Sequence, residues 1–434
     1  MAAYPWTNWA GNQQATAGRA ESTSDADEIA ALVRAARAEG TTVKAVGSGH
    51  SFSGAARTDG VRLDPPADAG LVSVDAANRT VRVRAGMPLH RLNTELTAAG
   101  LALPNLGDID RQTVAGAIST GTHGTGAGLG GLATFVTGLD LVAGTGEVLH
   151  CSAEENPDVF AAARVGVGAV GVVTEYELAC VEAFALHADD TPMPLADTLA
   201  GFDEFATNDH FEFYWFPYTE RTLVKRNNRV TPDTPTRPPA RWRNYLDDEL
   251  LSNTVFGWMC RFGRQFPDTV RRINGLSSQV LTARSYVERS DRVFCTPRRV
   301  RFVEMEYAVP RAALPDAFAG LRRVVDRCGV PIMFPVEVRV AAPDDVWLST
   351  AYGRDTAYVA VHQFVGMPYE PYFQGVEEVM RDLAGRPHWG KVHWRDADSL
   401  RAVYPRFDDF LAVRDRLDPD RVFANEYTRR VFGD

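Results

Sequence analysis

Lysine is almost absent from this chain, and so are long apolar runs. Of the 46 lysine and arginine residues in the 434-residue sequence, only Lys44, Lys225 and Lys391 are lysines. The two cations differ in geometry and hydration, so a lysine within a motif is a candidate for a specific role. No run of about 18 apolar residues occurs, so we expect no membrane-spanning helix. The N-terminal stretch MAAYPWTNWAGNQQ also lacks the basic and apolar regions of a signal peptide.

Cysteine and positive charge are scarce as well. The five cysteines lie far apart with no CxxC pair, which argues against a zinc site or a disulfide framework and favours a reducing cytoplasm. The formal net charge is −10, and nucleic-acid binding requires a basic face, so we expect no nucleic-acid partner. The composition, 45% hydrophobic and 24% charged, is typical of a soluble globular protein, and the length predicts two domains.

The first part of the chain alternates short strands with glycine-rich turns. We predict a helix over residues 24–39, capped by Ser24 and ended by Gly40. Two hairpins are expected, one turning at Asn78 and the other at residues 144–146.

The rest of the chain has longer strands. FEFYWFPY (211–218) and FVEMEYAVP (302–310) alternate along their length, as half-buried strands do. Helical patterns such as LPDAFAGLRRVVDRCG lie between them, which predicts an antiparallel sheet with helices on one face. Residues 228–241 are rich in proline and threonine and predict a surface loop.

Three glycine clusters, at residues 47–54, 121–131 and 166–171, lie against predicted strands. The last of them contains GVGAVG, which matches the dinucleotide fingerprint GxGxxG. That motif needs a strand before it and a helix after it, and here the order is reversed. Backbone N–H groups in tight glycine loops can still hold an anion. Each loop alone could be an ordinary turn, whereas three together favour a nucleotide cofactor.

Four motifs carry a family resemblance: GSGHSF, VAGAISTGTHGTG, GAVGVVT and HWGK, in this order. With them the chain resembles the vanillyl-alcohol oxidase class of FAD flavoproteins, from NWAGN (8–12) to ANEYTRRV (424–431). The strongest likeness is to the sugar-lactone branch, the gulonolactone and arabinonolactone oxidases or dehydrogenases. Alditol oxidases come next.

The resemblance implies an α+β fold of two domains. An FAD-binding domain of the vanillyl-alcohol oxidase type would cover residues 1–184, and an antiparallel-sheet substrate (cap) domain would cover residues 185–395. The C-terminal segment, residues 396–434, would return to the FAD domain.

The resemblance also implies how the FAD is held. In this family the histidine that matches His50 bonds covalently to the flavin 8α-methyl group; an ordinary loop histidine is the alternative. The glycines on both sides, Gly47 and Gly49, would let the backbone approach the ring. The residues implied at the cofactor are, for the pyrophosphate, Val46, Gly47, Ser48, Gly49, Ser51 and Phe52; along the second loop, Ser119, Thr122, His123 and Gly124; on the adenosine or ribityl side, Gly171 and Val172; and at the flavin or its loop, Asn425.

The implied reaction is oxidation of a hydroxyl-bearing carbon, with hydride passing to flavin N5. Strand FPVEVRV places Glu337 and Arg339 on one face, because side chains alternate along a strand. In this family a Glu and an Arg at this spacing contact the substrate; a surface ion pair is the alternative. His362 lies on another alternating strand, as a catalytic candidate or a structural histidine. Lys391 of the HWGK motif would be a compact cation beside the flavin and the substrate.

Two further pairs of residues bear on ligands. His388 and His393 invite a metal interpretation, but no carboxylate cluster accompanies them, so we expect no metal. Asp108 stands where the family's alditol oxidases carry a serine, and it favours a lactone substrate. Gly107 stands where a bulkier residue is thought to shield the flavin, so oxygen would have access.

The expected function is therefore the oxidation of a small sugar-derived 1,4-lactone, with oxygen or another electron acceptor. An alditol oxidase acting on open-chain polyols is one alternative, and a specialised-pathway oxidase acting on a sugar or cyclitol is another. A flavin-binding protein without catalysis is disfavoured, because Glu337, Arg339 and Lys391 are all retained.

Overall fold

The computed structural model describes residues 3–239 and 254–434. Its strands, in chain order, are β1 Tyr4–Thr7, β2 Gln14–Ala17, β3 Arg19–Ser22, β4 Val43–Ala45, β5 Val61–Asp64, β6 Leu71–Asp75, β7 Thr80–Arg84, β8 Leu101–Ala102, β9 Val136–Val142, β10 Val148–Ser152, β11 Val172–Ala179, β12 Val181–Glu182, β13 Ala185–Pro194, β14 His210–Trp215, β15 Arg221–Arg229, β16 Arg284–Arg289, β17 Phe302–Pro310, β18 Val336–Ala341, β19 Thr356–Phe364 and β20 Arg386–Pro387. Its helices are Ala26–Glu39, Leu89–Ala98, Val114–Ser119, Pro157–Arg164, Leu195–Ala200, Phe202–Phe205, Phe256–Gln265, Val270–Gln279, Ser290–Phe294, Leu314–Arg327, Glu370–Asp382, Ala397–Arg401, Phe407–Leu417 and Glu426–Phe432.

The first long helix, Ala26–Glu39, begins two residues later than predicted, and its N-cap lies one residue later. Its N-cap is Asp25, whose carboxylate accepts hydrogen bonds from the N–H groups of Asp27 and Glu28 at 2.9 and 3.0 Å. The predicted cap, Ser24, is wrong because its hydroxyl accepts from a side chain, Arg84, instead of from the helix. The helix ends at a left-handed glycine, as predicted.

Two sheets form the first part of the fold. Strands β3, β5 and β4 make a parallel sheet, and β10-β9-β11-β7-β6 make an antiparallel one. Both predicted hairpins are present, β6–β7 around Asn78 and β9–β10 around residues 144–146. The first glycine loop begins where the short strand β4 ends.

The predicted antiparallel sheet is also present, in the order β16-β13-β15-β14-β18-β19-β17-β20. Its central strands alternate strictly between two faces. Val336, Val338 and Val340 of β18 enter a core that also holds Phe318 and Leu321 of a covering helix. The residues between those valines therefore point to the opposite face.

The C-terminal helices pack against the first part of the chain. Phe407, Phe410 and Phe432 lie in the same hydrophobic core as Val81 and Val83 of β7. The predicted surface loop is present as far as it is described: β15 ends at Arg229, and residues 230–239 form turns with one isolated bridge. Residues 240 and 241 of that prediction lie outside the described residues. Across 3–239 and 254–434, every helix is too short or too polar to cross a bilayer.

Candidate active site

The first glycine loop is held in place by the N-terminal turn. Gly49 adopts a left-handed conformation (φ +72°), and its carbonyl accepts a hydrogen bond from the Trp9 N–H at 2.7 Å. The Asn8 side-chain amide donates to the Ser51 carbonyl at 2.9 Å, and that of Asn12 donates to the Phe52 carbonyl at 2.9 Å. The NWAGN motif therefore shapes the loop that carries His50.

The HWGK motif supports the same loop from the other side. The Phe52 N–H donates to the Gly390 carbonyl at 2.7 Å, and the Ser53 hydroxyl donates to the Trp389 carbonyl at 2.9 Å. The Tyr427 hydroxyl also donates to that carbonyl, at 2.9 Å. Two motifs more than 330 residues apart in the sequence are thus brought together around one loop.

A long cleft runs between the first and third glycine loops and helix Val114–Ser119. Most of the residues predicted to bind the cofactor line this cleft: Val46, Gly47, Ser48, Gly49, His50, Ser51, Ser119, Gly171 and Val172. A second cavity adjoins it, and three predicted cofactor residues lie in the cavity wall instead: Phe52, Thr122 and His123. The cleft and the cavity share His50, Ser51, Gln112 and Thr120.

Gly124 and Asn425 lie outside both linings, and each makes structural contacts. A Cβ atom on Gly124 would lie 2.2 Å from the Asn105 side-chain oxygen, so close packing requires glycine there. Asn425 caps the C-terminal helix, and its amide donates to the carbonyls of Gly54, Ala55 and Arg57 at 3.0, 3.1 and 2.8 Å. Asn425 therefore fixes the end of the His50 loop.

His50 is half-buried at the junction of cleft and cavity. Its ring lies 5.8 Å from the ring of Trp9, and no hydrogen bond to its ring nitrogens is present within the described part of the chain. Burial lowers the pKa of His50, and the nearby charges of Lys391 and Arg111 lower this pKa further. The ring is therefore neutral near pH 7, with one nitrogen lone pair available.

The cavity, of about 380 Å³, is lined by charged side chains from neighbouring strands. Glu337 and Arg339 of β18 both face it, and Arg339 Nε contacts a carboxylate oxygen of Glu337. Arg339 Nε also lies 2.9 Å from Glu212 of β14, directly across the strand pair. Burial raises the pKa of Glu337 to about 7, because desolvation outweighs the attraction of Arg339. Glu337 can therefore exchange a proton near neutral pH.

Asp108 lies at the same end of the cavity. Its carboxylate is 2.8 Å from Arg298 Nη2 and 3.8 Å from Arg339 Nη2. Although burial opposes ionisation, these two guanidinium groups hold the pKa of Asp108 well below its usual range. The carboxylate is ionised, and it presents acceptor oxygens to a ligand.

Lys391, which follows β20, and His362 of β19 also face the cavity. Lys391 Nζ contacts Glu304 and lies 3.9 Å from Glu306, both on β17. His362 Nε2 lies 3.5 Å from the other oxygen of Glu304. Burial alone would lower the pKa of Lys391, but the two carboxylates raise this pKa above its usual value. The ammonium group is therefore charged, and the side chain is half-buried beside the His50 loop.

Glu212, Glu304 and Glu306 are site residues that the sequence analysis did not identify. The pattern that could have identified them is strand alternation, because each is an acidic residue at an alternate position of a correctly predicted strand. Lys225, one of the three lysines, lies 2.8 Å from Glu212 and keeps that carboxylate paired. The rarity of lysine pointed to it, whereas its partner could not be assigned from the sequence.

The ligand atoms of His123, Glu306 and His388 lie within 4.8 Å of one another, which is close enough for a metal ion. Their hydrogen bonds argue against one. His388 Nδ1 accepts from the Gly390 N–H at 3.0 Å, so the neutral ring carries its proton on Nε2, where a metal would bind. Burial lowers the pKa of His388 to about 3. His123 Nε2 pairs with Glu306 at 2.8 Å, which completes a network of hydrogen bonds.

His393, the other histidine considered for a metal, lies elsewhere. Its Nε2 is 3.0 Å from the Tyr427 hydroxyl.

The chain matches two family models, D-arabinono-1,4-lactone oxidase over residues 176–431 and an FAD binding domain over residues 22–152. It is 45% identical over 430 residues to the L-gulono-1,4-lactone dehydrogenase of Mycobacterium tuberculosis, covering 99% of each chain. It is 34% identical over 439 residues to an alditol oxidase of Streptomyces, covering 98% of each chain. A solved structure of cholesterol oxidase from Brevibacterium sterolicum superimposes with a TM-score of 0.80 at 17% identity, covering 99% of this chain and 97% of that one.

The last of these likenesses shows the fold, an α+β fold of the vanillyl-alcohol oxidase type. The residues present fit FAD: the cleft is long, glycine loops line it at both sides, and it opens at His50 into a cavity with charged groups. Gly49 and Gly168, in its walls, have left-handed backbones that bring main-chain atoms close to a ligand. The chain therefore belongs to the D-arabinono-1,4-lactone oxidase family and is an FAD-dependent oxidoreductase that acts on CH–OH donors.

Proposed function

We propose that this protein oxidises a hydroxyl-bearing carbon of a sugar-derived 1,4-lactone of the aldonolactone type, with FAD attached to His50. The observation that carries the proposal is the cavity beside His50, which gathers Glu337 and Arg339 on one strand and Lys391 near the HWGK turn. A panel of aldono-1,4-lactones and polyols, each mixed anaerobically with the purified protein, tests it. A lactone should reduce the flavin fastest.

The proposed site divides the reaction between FAD and two groups of this chain, Glu337 and Arg339. FAD, when bound, accepts the hydride. Glu337 accepts the hydroxyl proton, which suits a carboxyl group with a pKa of about 7. Arg339 Nε is within contact of Glu337, so its guanidinium stabilises the negative charge that develops on the substrate oxygen.

Lys391 and His362 complete the proposed site. Lys391 supplies a positive charge beside the His50 loop, where its ammonium lies 5.3 Å from the centre of the Phe52 ring. His362 acts through Glu304, which it shares with Lys391, and is therefore a positioning residue. Both side chains are held by the same carboxylate, so they form one unit.

We further propose that the chain works as two domains with the boundaries near residues 184 and 395. The eight-stranded sheet runs from Ala185 to Pro387, and the C-terminal helices share a core with the five-stranded sheet, which supports this division. All five cysteines are free thiols, which supports the reducing cytoplasm as the compartment.

The first prediction concerns the form of the substrate. A rigid lactone arrives with its hydroxyl groups oriented, and the ionised Asp108 carboxylate can accept from them while Arg298 keeps it in place. We expect kcat/KM for an aldono-1,4-lactone to exceed that for xylitol or sorbitol at least about tenfold. Asp108→Ser should narrow this ratio, because serine both donates and accepts and suits freely rotating hydroxyls.

Asp108→Asn is the matched variant for the effect of charge, because asparagine keeps the shape of the Asp108 side chain and removes its charge. If the polyols are turned over as well as the lactone by the unmodified protein, the second candidate, an alditol oxidase, is the correct function. The 34% identity to the Streptomyces alditol oxidase is the observation that supports this second candidate.

The second prediction concerns the need for a compact cation at position 391. Lys391→Arg should slow flavin reduction by substrate at least about 100-fold, although the charge is kept. The planar guanidinium is larger than an ammonium group and cannot take its place between Glu304 and Glu306. The measurement is anaerobic stopped-flow absorbance of the flavin, with thermal unfolding as the check on folding. A rate near that of the unmodified protein would show that any cation suffices.

A further inference from the structure

A patch of large apolar side chains is exposed on two helices, Phe256–Gln265 and Val270–Gln279. Eleven large hydrophobic residues are exposed within residues 3–239 and 254–434, and six of them fall in one short stretch. Their exposed fractions range from 37% to 72%, and together they define the surface that we call the apolar platform: Val255, Trp258, Phe262, Phe266, Leu276 and Val280. Patches of this kind mark interaction sites more often than single exposed residues do.

The first helix of the platform is inverted relative to an ordinary surface helix. Small residues, Gly257, Cys260 and Gly263, face the protein, whereas Trp258 and Phe262 face solvent. A surface helix normally directs its large apolar residues to the core. Phe256 is half-buried against Phe334, whereas the other two aromatic residues of this helix, Trp258 and Phe262, stay outside the core.

Close packing explains the inversion. A Cβ atom on Gly263 would lie 2.7 Å from Met333 Sδ and 3.1 Å from Val270 Cγ2, so the helix backbone rests directly on its neighbours. The second helix is fixed by Asn274, whose amide donates to the carbonyls of Pro217 and Ile332 at 3.3 and 2.9 Å. The first helix therefore has no room for large side chains on its inner face. Its two exposed aromatic side chains point to solvent, and both helices are held firmly in place.

The platform is positively charged, although the chain as a whole carries −10. Asp268 is the single acidic residue between positions 255 and 283. The same stretch has four exposed arginines: Arg261, Arg264, Arg271 and Arg272. Aromatic residues and arginines on one short helical segment are the combination found in helices that lie in the surface of a bilayer.

We propose that the apolar platform docks the protein onto an anionic lipid bilayer. Trp258, Phe262 and Phe266 would enter the boundary between headgroups and acyl chains, and the arginines would pair with lipid phosphates. Local charge supports this occupant: the four exposed arginines and the single aspartate give the platform a positive charge that can face an anionic surface, although the whole chain carries −10. Tryptophan in particular favours the interfacial region of a membrane.

The first helix of the platform is connected to the wall of the active-site cavity through aromatic contacts. Phe256 of the first helix packs against Phe334 with ring centres 4.9 Å apart, and Phe334 packs against Phe302 at 5.4 Å. Phe302 lies in the cavity wall. Docking through the platform would therefore hold the substrate side of the molecule towards the bilayer.

The test is flotation of the intact flavoprotein with vesicles of phosphatidylcholine alone or mixed with phosphatidylglycerol. We expect at least about tenfold more bound protein on the anionic vesicles, with binding weakened by salt. The double variant Trp258→Ser/Phe262→Ser should reduce that binding at least about tenfold, and Arg261→Gln/Arg272→Gln should also reduce it. Because all four side chains are exposed, flavin content and the thermal midpoint should be unchanged.

The matched control is Val72→Ser/Val74→Ser, which removes two exposed apolar side chains from strand β6 and should leave vesicle binding intact. Equal binding by the intact protein and the Trp258/Phe262 variant would overturn the proposal, as would absence of binding to both kinds of vesicle. If light scattering shows a dimer that the Trp258/Phe262 variant loses, and vesicles do not bind, the platform is a self-association surface and the lipid proposal is wrong.

Discussion

Glu337→Gln should retain FAD and yet reduce it with substrate at least about 100-fold more slowly than the unmodified protein at pH 8. Glutamine has nearly the same shape but cannot accept a proton. The side chain lies in the cavity wall and not in the cleft lining, so flavin binding should be kept. Anaerobic stopped-flow measurement of flavin absorbance gives the rate directly.

The pH dependence gives the sharper form of this prediction. Burial raises the pKa of Glu337 to about 7, so the fraction of ionised carboxylate grows between pH 6 and pH 8. A base acts in its ionised form, and the rate of flavin reduction should therefore rise with pH across this window and level off above it. In Glu337→Gln this rise should disappear. A rate that falls with rising pH would mean that Glu337 works as a proton donor to the substrate instead.

Glu378→Gln is the control, because the same substitution is made at an exposed position on a helix. It should leave both the rate and its pH profile unchanged. Turnover by Glu337→Gln close to that of the unmodified protein would remove Glu337 from the reaction.

Strand alternation was the most reliable source of site predictions. The valines of FPVEVRV had to enter the core, so Glu337 and Arg339 had to share the opposite face, and the structure places them together in the cavity. The same logic applied to FVEMEYAVP would have identified Glu304 and Glu306. That strand carries no residue of opposite charge at an alternate position, so its sequence alone does not indicate an ion pair.

The partners across strands could not be read from the sequence. Glu212 meets Arg339 because β14 pairs with β18, two strands that are more than 120 residues apart in the sequence. Pairing of this kind depends on the order of strands in the sheet, which alternation does not determine. For the same reason the sequence did not separate cofactor from substrate contacts: Phe52, Thr122 and His123 lie within the glycine clusters, yet they are in the wall of the cavity.

The sequence predicted the first helix and the kind of residue that caps it, but not which of two neighbouring residues forms the cap. The helix after residue 24 was correct, but two capping residues, Ser24 and Asp25, stand side by side. The carboxylate of Asp25 reaches two backbone N–H groups, whereas the Ser24 hydroxyl is engaged by Arg84 from a distant strand. Only the tertiary contact decides between them.

Three features of the loop support the proposed attachment of FAD to His50. Gly49 is left-handed and the loop is clamped by the NWAGN and HWGK segments, so the ring of His50 is held at one place. Burial and the charges of Lys391 and Arg111 lower the pKa of His50, which keeps the ring neutral and nucleophilic. Attachment would replace one hydrogen of the 8α-methyl group and the N–H hydrogen of the imidazole with a C–N bond. The two hydrogens would leave as protons, and the two electrons would reduce the flavin and then pass to the electron acceptor.

His50→Ala should therefore release the flavin. After acid precipitation the unmodified protein should give a yellow pellet, and its polypeptide mass should be higher by one FAD less two hydrogens. His50→Ala should give a colourless pellet, a yellow supernatant and an unmodified polypeptide mass. His187→Ala, at a half-buried position on β13, should behave like the unmodified protein, because a histidine outside the cleft contributes nothing to attachment. Free FAD from the unmodified protein would show that His50 is an ordinary residue of the loop and that the cleft alone retains the cofactor.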